Sequence, residues 1–474
     1  MLKMPAIGAE LSSSAPPLDA KVAPWMAELL KRPDLIRQLL VKYGSPSHIV
    51  MPTEFERNVD DLLKPFQDRK LEGGLFFARK ANKLPWFLPL AAKKKIGVDT
   101  ASLNEVNETL AAGLPPNQIV ITAIGKEESL IRQAIAKHCT LIVDCLDEIE
   151  QVKAIARSLN LKASIGLRFS GFKVAERKIF SRFGFAIEDV SSVFDAVAAE
   201  SLLSVGLLHA HLDRYDPSER ASAARALLEI VDYGKNRGHS IDAIDLGGGI
   251  LMRYLKSEEQ WSQFSNALLQ SVTGQRPPFT YLNDGLGYQN IDGRVIGNAD
   301  IYPMWNDISK ERFLTAVLDD DTSGTPLHKE ISDRRLKLFF EPGRALLDNV
   351  GITIASVTFR KRDTLGNFLL GIGMNRTNLR PFRAEFCSDP LFVSEAERES
   401  TNEGAFLVGN LCSESDLLFR RRIALNRMPL PQDSVAFLNT AGYLAHHMEI
   451  GTHGNPLPKN LLLEAETFQV LSVI

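Results

Sequence analysis

Between about residues 72 and 250 the chain repeats one unit, a short apolar run followed by an amphipathic stretch of helical period. Strand-like runs fall at 75–79, 96–99, 119–122, 141–143, 163–169, 203–211 and 243–246, with helix-like segments such as 102–112, 129–137, 148–158 and 221–237 between them. That alternation is the pattern of repeated β/α units. An eighth apolar run, 336–340, follows a long interruption. Eight strands match the count of an α/β chain folded as a (β/α)8 barrel, although an open doubly wound sheet gives similar local signals. A barrel places its chemistry at the carboxyl ends of the strands, so the residues that end each run become the candidates.

Between Ile250 and Leu336 the rhythm breaks into turn-rich sequence, Asn283-Asp284-Gly285-Leu286-Gly287-Tyr288 and Asn290-Ile291-Asp292-Gly293-Arg294. A segment this irregular inside a compact domain is usually functional or disordered. After Gly351 alternating strands are expected at 352–360, 368–373, 404–408 and 434–438, which reads as a C-terminal all-β domain. A chain of 474 residues is also too long for one ordinary core. The expected organisation is therefore a lead-in at 1–71 that partly joins the β domain, a barrel at 72–345 carrying an insertion at 252–335, and a β domain at 346–474.

Composition narrows the partners. A net charge of −3 leaves no footprint for nucleic acid or an anionic membrane. No apolar run approaches the roughly 18 residues that span a bilayer. The stretch Ser12-Ser13-Ser14-Ala15-Pro16-Pro17 lacks the apolar core of a signal peptide. Four scattered cysteines (Cys139, Cys145, Cys387, Cys412), none in a C-x-x-C pair, suit a reduced cytoplasmic protein without a structural zinc.

Lys80 ends the first run, in Gly74-Leu75-Phe76-Phe77-Ala78-Arg79-Lys80-Ala81-Asn82. A cation at the end of a buried strand is costly unless it is paired, exposed in a cleft or neutralised covalently. Covalent neutralisation is Schiff-base chemistry, open to a desolvated lysine of lowered pKa; a side chain that reaches water along its own stem is the plainer reading. Gly247-Gly248-Gly249 follows another run, where glycine amides cradle an anion or make a tight turn. Glu341-Pro342-Gly343-Arg344 follows the eighth, as site residues or as a surface ion pair. Cys412 lies in Gly409-Asn410-Leu411-Cys412-Ser413-Glu414-Ser415-Asp416, where an inert cysteine is the default.

In this order, from about Leu75 to Tyr443, the segments resemble the fold-type III pyridoxal-phosphate decarboxylases, the group of diaminopimelate and ornithine decarboxylases. The run into Lys80 is similar to the family's cofactor-lysine motif, which implies that Lys80 forms an aldimine with pyridoxal 5'-phosphate. Asp99, Ser102 and Glu105 follow its acidic-and-serine pattern, and Ser181-Arg182-Phe183-Gly184 resembles a family segment further on. The resemblance implies that His211, of His209-Ala210-His211, stacks on the pyridine ring. It implies that Gly247, Gly248 and Gly249 cradle the phosphate, that Glu341 meets the pyridine nitrogen and that Arg344 holds the phosphate, with Tyr443 nearby. Arg380-Pro381 resembles the family's substrate-side pair. Cys412 and Asp416 correspond to a catalytic cysteine and its companion, supplied across a homodimer interface so that active sites are shared. The implied function is α-decarboxylation of a small-molecule amino acid or amino-acid conjugate, with Cys412 as proton donor. A racemase or epimerase on the same scaffold stays open, as does a non-catalytic pyridoxal-phosphate-binding protein, which the β domain and Cys412 weigh against.

Besides the long 252–335 insertion, which is unlike the better-known members, the chain departs from the family pattern in three places. Asp213 and Arg214 stand where small residues, Gly and a phosphate-touching Ser, are usual. Arg214 either replaces that serine as a phosphate partner or pairs with Asp213. Ser413 stands where diamino-acid decarboxylases carry an acid, with Glu414 one residue on. On an extended strand one residue reverses the face, and a buried distal ammonium without a counter-ion costs several kcal/mol. A substrate with a neutral polar far end is therefore expected, rather than ornithine, lysine or diaminopimelate. Ala441-Gly442-Tyr443 inverts the usual Gly-Ala-Tyr order.

Overall fold

In the computed structural model, residues 15–174, 177–381 and 385–474 are described, so residues 12–14 of the lead-in lie outside the described residues. Eight strands pair in parallel: β1 (Gly73–Ala78), β2 (Gly97–Thr100), β3 (Ile119–Ile121), β4 (Thr140–Val143), β5 (Ala163–Ser170), β6 (Leu203–Ala210), β7 (Ala243–Asp245) and β8 (Lys337–Phe340). Each pairs with the next, and Phe340 of β8 returns to Leu75 of β1, closing the barrel. An open sheet is thereby excluded.

Side chains fill the barrel: Phe76, Val120, Ile142, Leu207 and Ala243 are buried together, with Phe339 against them. Fully burying a side chain such as Ile142 contributes roughly 1.5–3 kcal/mol. Gly97 makes room for this layer, because a Cβ there would lie 2.3 Å from the Phe76 ring. Alternation sends Phe77 outward, where its ring meets Phe55 of the helix Pro52–Arg69 at 5.3 Å and Phe87 of Phe87–Lys94 at 5.8 Å.

This compact unit comprises Met51–Met252 and Asp307–Val350. The helices Glu311–Leu318 and Leu327–Asp333 belong to it, in the crossover from β7 to β8. Of the segment 252–335 only Arg253–Asn306 falls in the other unit, which also takes Gly351–Ile474 and the described part of Met1–Val50. There the long strand Gly351–Arg362 runs antiparallel to Ser47–Val50, Phe368–Ile372 and Ser434–Leu438. Its core includes Val357, Leu370, Ile372, Leu407 and Val435. Arg420 ties Arg253–Asn306 to this sheet, with Glu385 Oε2 at 2.5 Å and carboxylate oxygens of Asp284 and Asp300 at 3.4 Å. Among the described residues no helix is long and apolar enough to cross a membrane.

Candidate active site

The carboxyl ends of the barrel strands carry the polar side chains. Lys80 lies in a 3-10 turn, Arg79–Ala81, directly after β1. The buried Arg79 staples that turn, its guanidinium donating to the carbonyls of Asn82 at 2.7 Å and Leu84 at 3.2 Å and to Glu108 Oε2 at 2.7 Å. Lys80 Nζ lies 3.5 Å from Oδ2 of Asp99 on β2; the lysine side chain is 43 % exposed, the aspartate 2 %. Burial and the nearby Glu341 carboxyl push the Asp99 carboxyl up to about 6, against the pull of Lys80 and of the Thr122 hydroxyl, which donates to Asp99 Oδ1 at 2.5 Å. Ser102 and Glu105 have a local role. Ser102 Oγ accepts from the Glu105 N–H, and Glu105 Oε2 from the Ala101 N–H, capping the helix Leu103–Ala111.

Deeper in the mouth, His209 (β6), Asp245 (β7) and Glu341 (after β8) place one donor atom each within 4.8 Å of the others, all buried. His209 Nε2 lies 3.0 Å from Glu341 Oε1. Asp245 Oδ1 accepts from the Gly247 N–H at 2.8 Å, while its Oδ2 has no partner. Burial holds the Asp245 carboxyl well above the usual range, with repulsion from Glu341 adding to it. Burial also raises Glu341, against Lys80, Arg168 and Arg220. Two such carboxyls at this separation share protons rather than ionise together. Burial likewise keeps His209 and His211 neutral, with cationic neighbours adding to it.

The loop after β7 leaves no space for side chains. A Cβ at Gly247 would lie 3.0 Å from His211 Nδ1, at Gly248 2.7 Å from the Glu341 carbonyl oxygen, and at Gly249 2.7 Å from a guanidinium nitrogen of Arg220. Gly247 and Gly249 also take φ of +66° and +84°, which favour glycine. Arg344 hydrogen-bonds the hydroxyl of Tyr215. Arg214 Nε lies 3.1 Å from Glu219, which also pairs with Arg177. The barrel mouth thus gathers Lys80, Asp99, His211, Arg214, the three glycines, Glu341 and Arg344. A pyridoxal phosphate fits this set. It offers a buried protonatable carboxyl for a ring nitrogen, a neutral imidazole for a ring face, glycine amides and cations for a phosphate, and an amine for an aldehyde.

The β unit carries the remaining candidates. Asp416 is buried, its Oδ1 accepting from the Arg376 N–H at 2.7 Å and its Oδ2 from the Leu411 N–H at 2.8 Å. It therefore ties the backbone just before Cys412, which is exposed, to the turn at Arg376. The segment 411–415 is bend and turn, not strand, so strand alternation does not turn Glu414 away from Ser413, and both are exposed. Ser413 Oγ lies 2.9 Å from Ser415 Oγ. Arg380 is half-buried after the turn Arg376–Leu379. Tyr443 takes a φ of +61°, its ring 5.7 Å from that of His447.

Reading the residues alone passes over Arg79, Thr122, Asp245 and Arg220. Asp245 and Thr122 carry the same strand-end signal as Asp99. Arg79 and Arg220 look like solvated charges in sequence, since burying an arginine is a tertiary property.

Known proteins match this architecture. The family model for the pyridoxal binding domain of pyridoxal-dependent decarboxylases matches residues 53–279. An uncharacterized protein of Sinorhizobium fredii is 24% identical over 437 residues, 91% of this chain and 90% of the relative. The diaminopimelate decarboxylase of Zymomonas mobilis is 22% identical over 437 residues, 90% and 89% of the two chains. Among solved structures, diaminopimelate decarboxylase from Helicobacter pylori complexed with L-lysine superposes with a TM-score of 0.67 at 18% identity, over 90% of this chain and 94% of that one. These matches support a divergent member of the fold-type III pyridoxal-phosphate-dependent decarboxylases, carboxy-lyases that use pyridoxal 5'-phosphate.

Proposed function

We propose that the protein removes the α-carboxylate of an amino acid or amino-acid conjugate, with Lys80 holding the cofactor and Cys412 donating the proton to Cα. The observation that carries this reading is the convergence on one barrel mouth of the Lys80 amine, the Glu341 carboxyl and the glycine loop. Asp99 accompanies the Lys80 amine at 3.5 Å and, with its carboxyl raised to about 6, sits ready to take or return a proton near neutral pH. Glu341 holds the proton of the pyridine nitrogen, and neutral His211 covers one face of the ring. Gly247, Gly248, Gly249 and Arg344 hold the phosphate, with Arg214 and Tyr443 as neighbouring candidates. When bound, pyridoxal phosphate supplies the electron-accepting ring that takes up the electron pair released as carbon dioxide leaves. Cys412 then gives its thiol proton to Cα, and Arg380 and Ser413 meet the substrate. The reading includes a cytoplasmic homodimer in which Cys412 and Asp416 act in the opposite subunit's site. Ser413 supports a substrate whose far end is neutral and polar. The test is product analysis of the holoenzyme on an amino-acid panel: carbon dioxide and an amine are expected. Inversion at Cα without carbon dioxide would make the enzyme a racemase.

A further inference from the structure

Arg220 lies in the first turn of the helix Pro217–Asn236 and is fully buried. Its guanidinium donates to two carbonyls, that of Leu246 at 2.6 Å and that of Arg214 at 3.2 Å. These carbonyls belong to different loops, the one entering the glycine triplet after β7 and the one after β6. Its Nε has no partner, and among the described residues the guanidinium forms no ion pair. The glycine triplet lies directly against it, since a Cβ at Gly249 would come within 2.7 Å of its terminal nitrogen. A buried cation hydrogen-bonded only to carbonyls is costly; the nearby carboxyls of Glu341, Asp245 and Glu219 offset part of that cost, and a doubly charged anion would offset more.

We propose that Arg220 is a positioning residue for the cofactor's phosphate. It clamps the two loops so that their amides converge on one anion, and it lends that anion a fully buried positive charge in addition to the half-buried Arg344. This rests on the reading of the barrel mouth as the cofactor site and assigns a residue that reading does not use. It also explains how the chain does without the small Gly-Ser pair at Asp213 and Arg214: the loop after β6 is held from below, through its own carbonyl, rather than by a serine at the phosphate.

The experiment compares affinity for pyridoxal 5'-phosphate and for pyridoxal, which lacks the phosphate, in wild-type, Arg220→Met and Arg220→Lys proteins, by cofactor absorbance and fluorescence titration. Arg220→Met is expected to weaken pyridoxal 5'-phosphate by about tenfold or more while pyridoxal binding stays unchanged, and Arg220→Lys is expected to recover part of the loss. Equal losses for both ligands, or no loss for either, would overturn the proposal. Should Arg220→Met not fold, Arg220→Gln takes its place in the same titrations: a loss confined to pyridoxal 5'-phosphate supports the clamp, and equal losses or none overturn it. Failure of the wild type to bind either compound would instead remove the cofactor reading itself.

Discussion

In the barrel unit a cluster of titratable residues is sealed: Asp99, His209, Asp245 and Glu341 are each at most 2 % exposed, beside a Lys80 side chain that is 43 % exposed. In the β unit Cys412, Ser413 and Glu414 stand exposed on a turn whose shape is set by one buried carboxylate, Asp416. The two arrangements carry different constraints. A buried charge cluster is stable only as a set, because removing one member leaves the others uncompensated. An exposed turn pinned at its base can exchange side chains at little folding cost. Exposure does not sort the departures from the family pattern by unit: Asp213 and Arg214 in the barrel unit and Ser413 and Glu414 in the β unit are exposed, while the inverted Ala441-Gly442 is buried.

The largest effect expected is at Lys80. Lys80→Ala should abolish turnover, and borohydride reduction followed by peptide mapping should label Lys80 in the wild type and nothing in the variant. A label on another lysine would break the assignment of the barrel mouth. Cys412→Ala comes next. Turnover should fall by about 10²–10⁴ if the thiol is the general acid. Stability should change by no more than about 0.5 kcal/mol, as at other exposed sites. Gly248→Ala offers the opposite case, since overpacking against the Glu341 carbonyl should cost about 1–3 kcal/mol of stability. Equal stability losses for the two variants would erase the contrast between the units. Mixing inactive Lys80→Ala and Cys412→Ala proteins should restore part of the activity if subunits share sites.

The sealed cluster also predicts a pH dependence. The Asp99 carboxyl is at about 6 when folded against an ordinary 3.8, so between those values the folded chain binds more protons than the unfolded chain. Stability of the cofactor-free protein should therefore fall as pH rises through that window, by about 3 kcal/mol from this group. Urea unfolding of wild type and Asp99→Asn from pH 4.5 to 7 checks it. The wild-type curve should decline relative to the variant, and parallel curves would show that Asp99 is not held up by burial.

The eight barrel strands are legible in the sequence because each is a short apolar run broken by polar residues, and all eight lie within three residues of their expected ends. Lys80, the glycine loop and Glu341 are legible because they directly follow such runs. The clamp at Arg220 is not, since its signal is burial, which depends on two loops distant in sequence. Nor is the grouping of Arg253–Asn306 with the β unit, which rests on contacts such as Arg420 with Asp284 and Asp300. The turn at Cys412 reads as extended in sequence because nothing in Leu411-Cys412-Ser413-Glu414 reveals that Asp416 folds back onto the Leu411 and Arg376 amides.

That turn gives the smallest and most discriminating prediction. The hydroxyl of Ser413 lies 2.9 Å from Ser415 Oγ, and Glu414 beside it is exposed. If Ser413 meets the far end of the substrate, Ser413→Ala removes one hydrogen bond, worth about 0.5–1.5 kcal/mol. KM should then rise up to about tenfold with kcat little changed, since a contact made equally in ground and transition states acts on KM alone. Neutral or acylated amino acids should outcompete ornithine, lysine and diaminopimelate, because no acid at position 413 neutralises a distal ammonium. Glu414 offers the opposite outcome. Efficient turnover of any of the three diamino acids, lost in Glu414→Gln and untouched in Ser413→Ala, would show that the turn presents its charge one residue later and that the exposed side of the molecule kept the family's specificity after all.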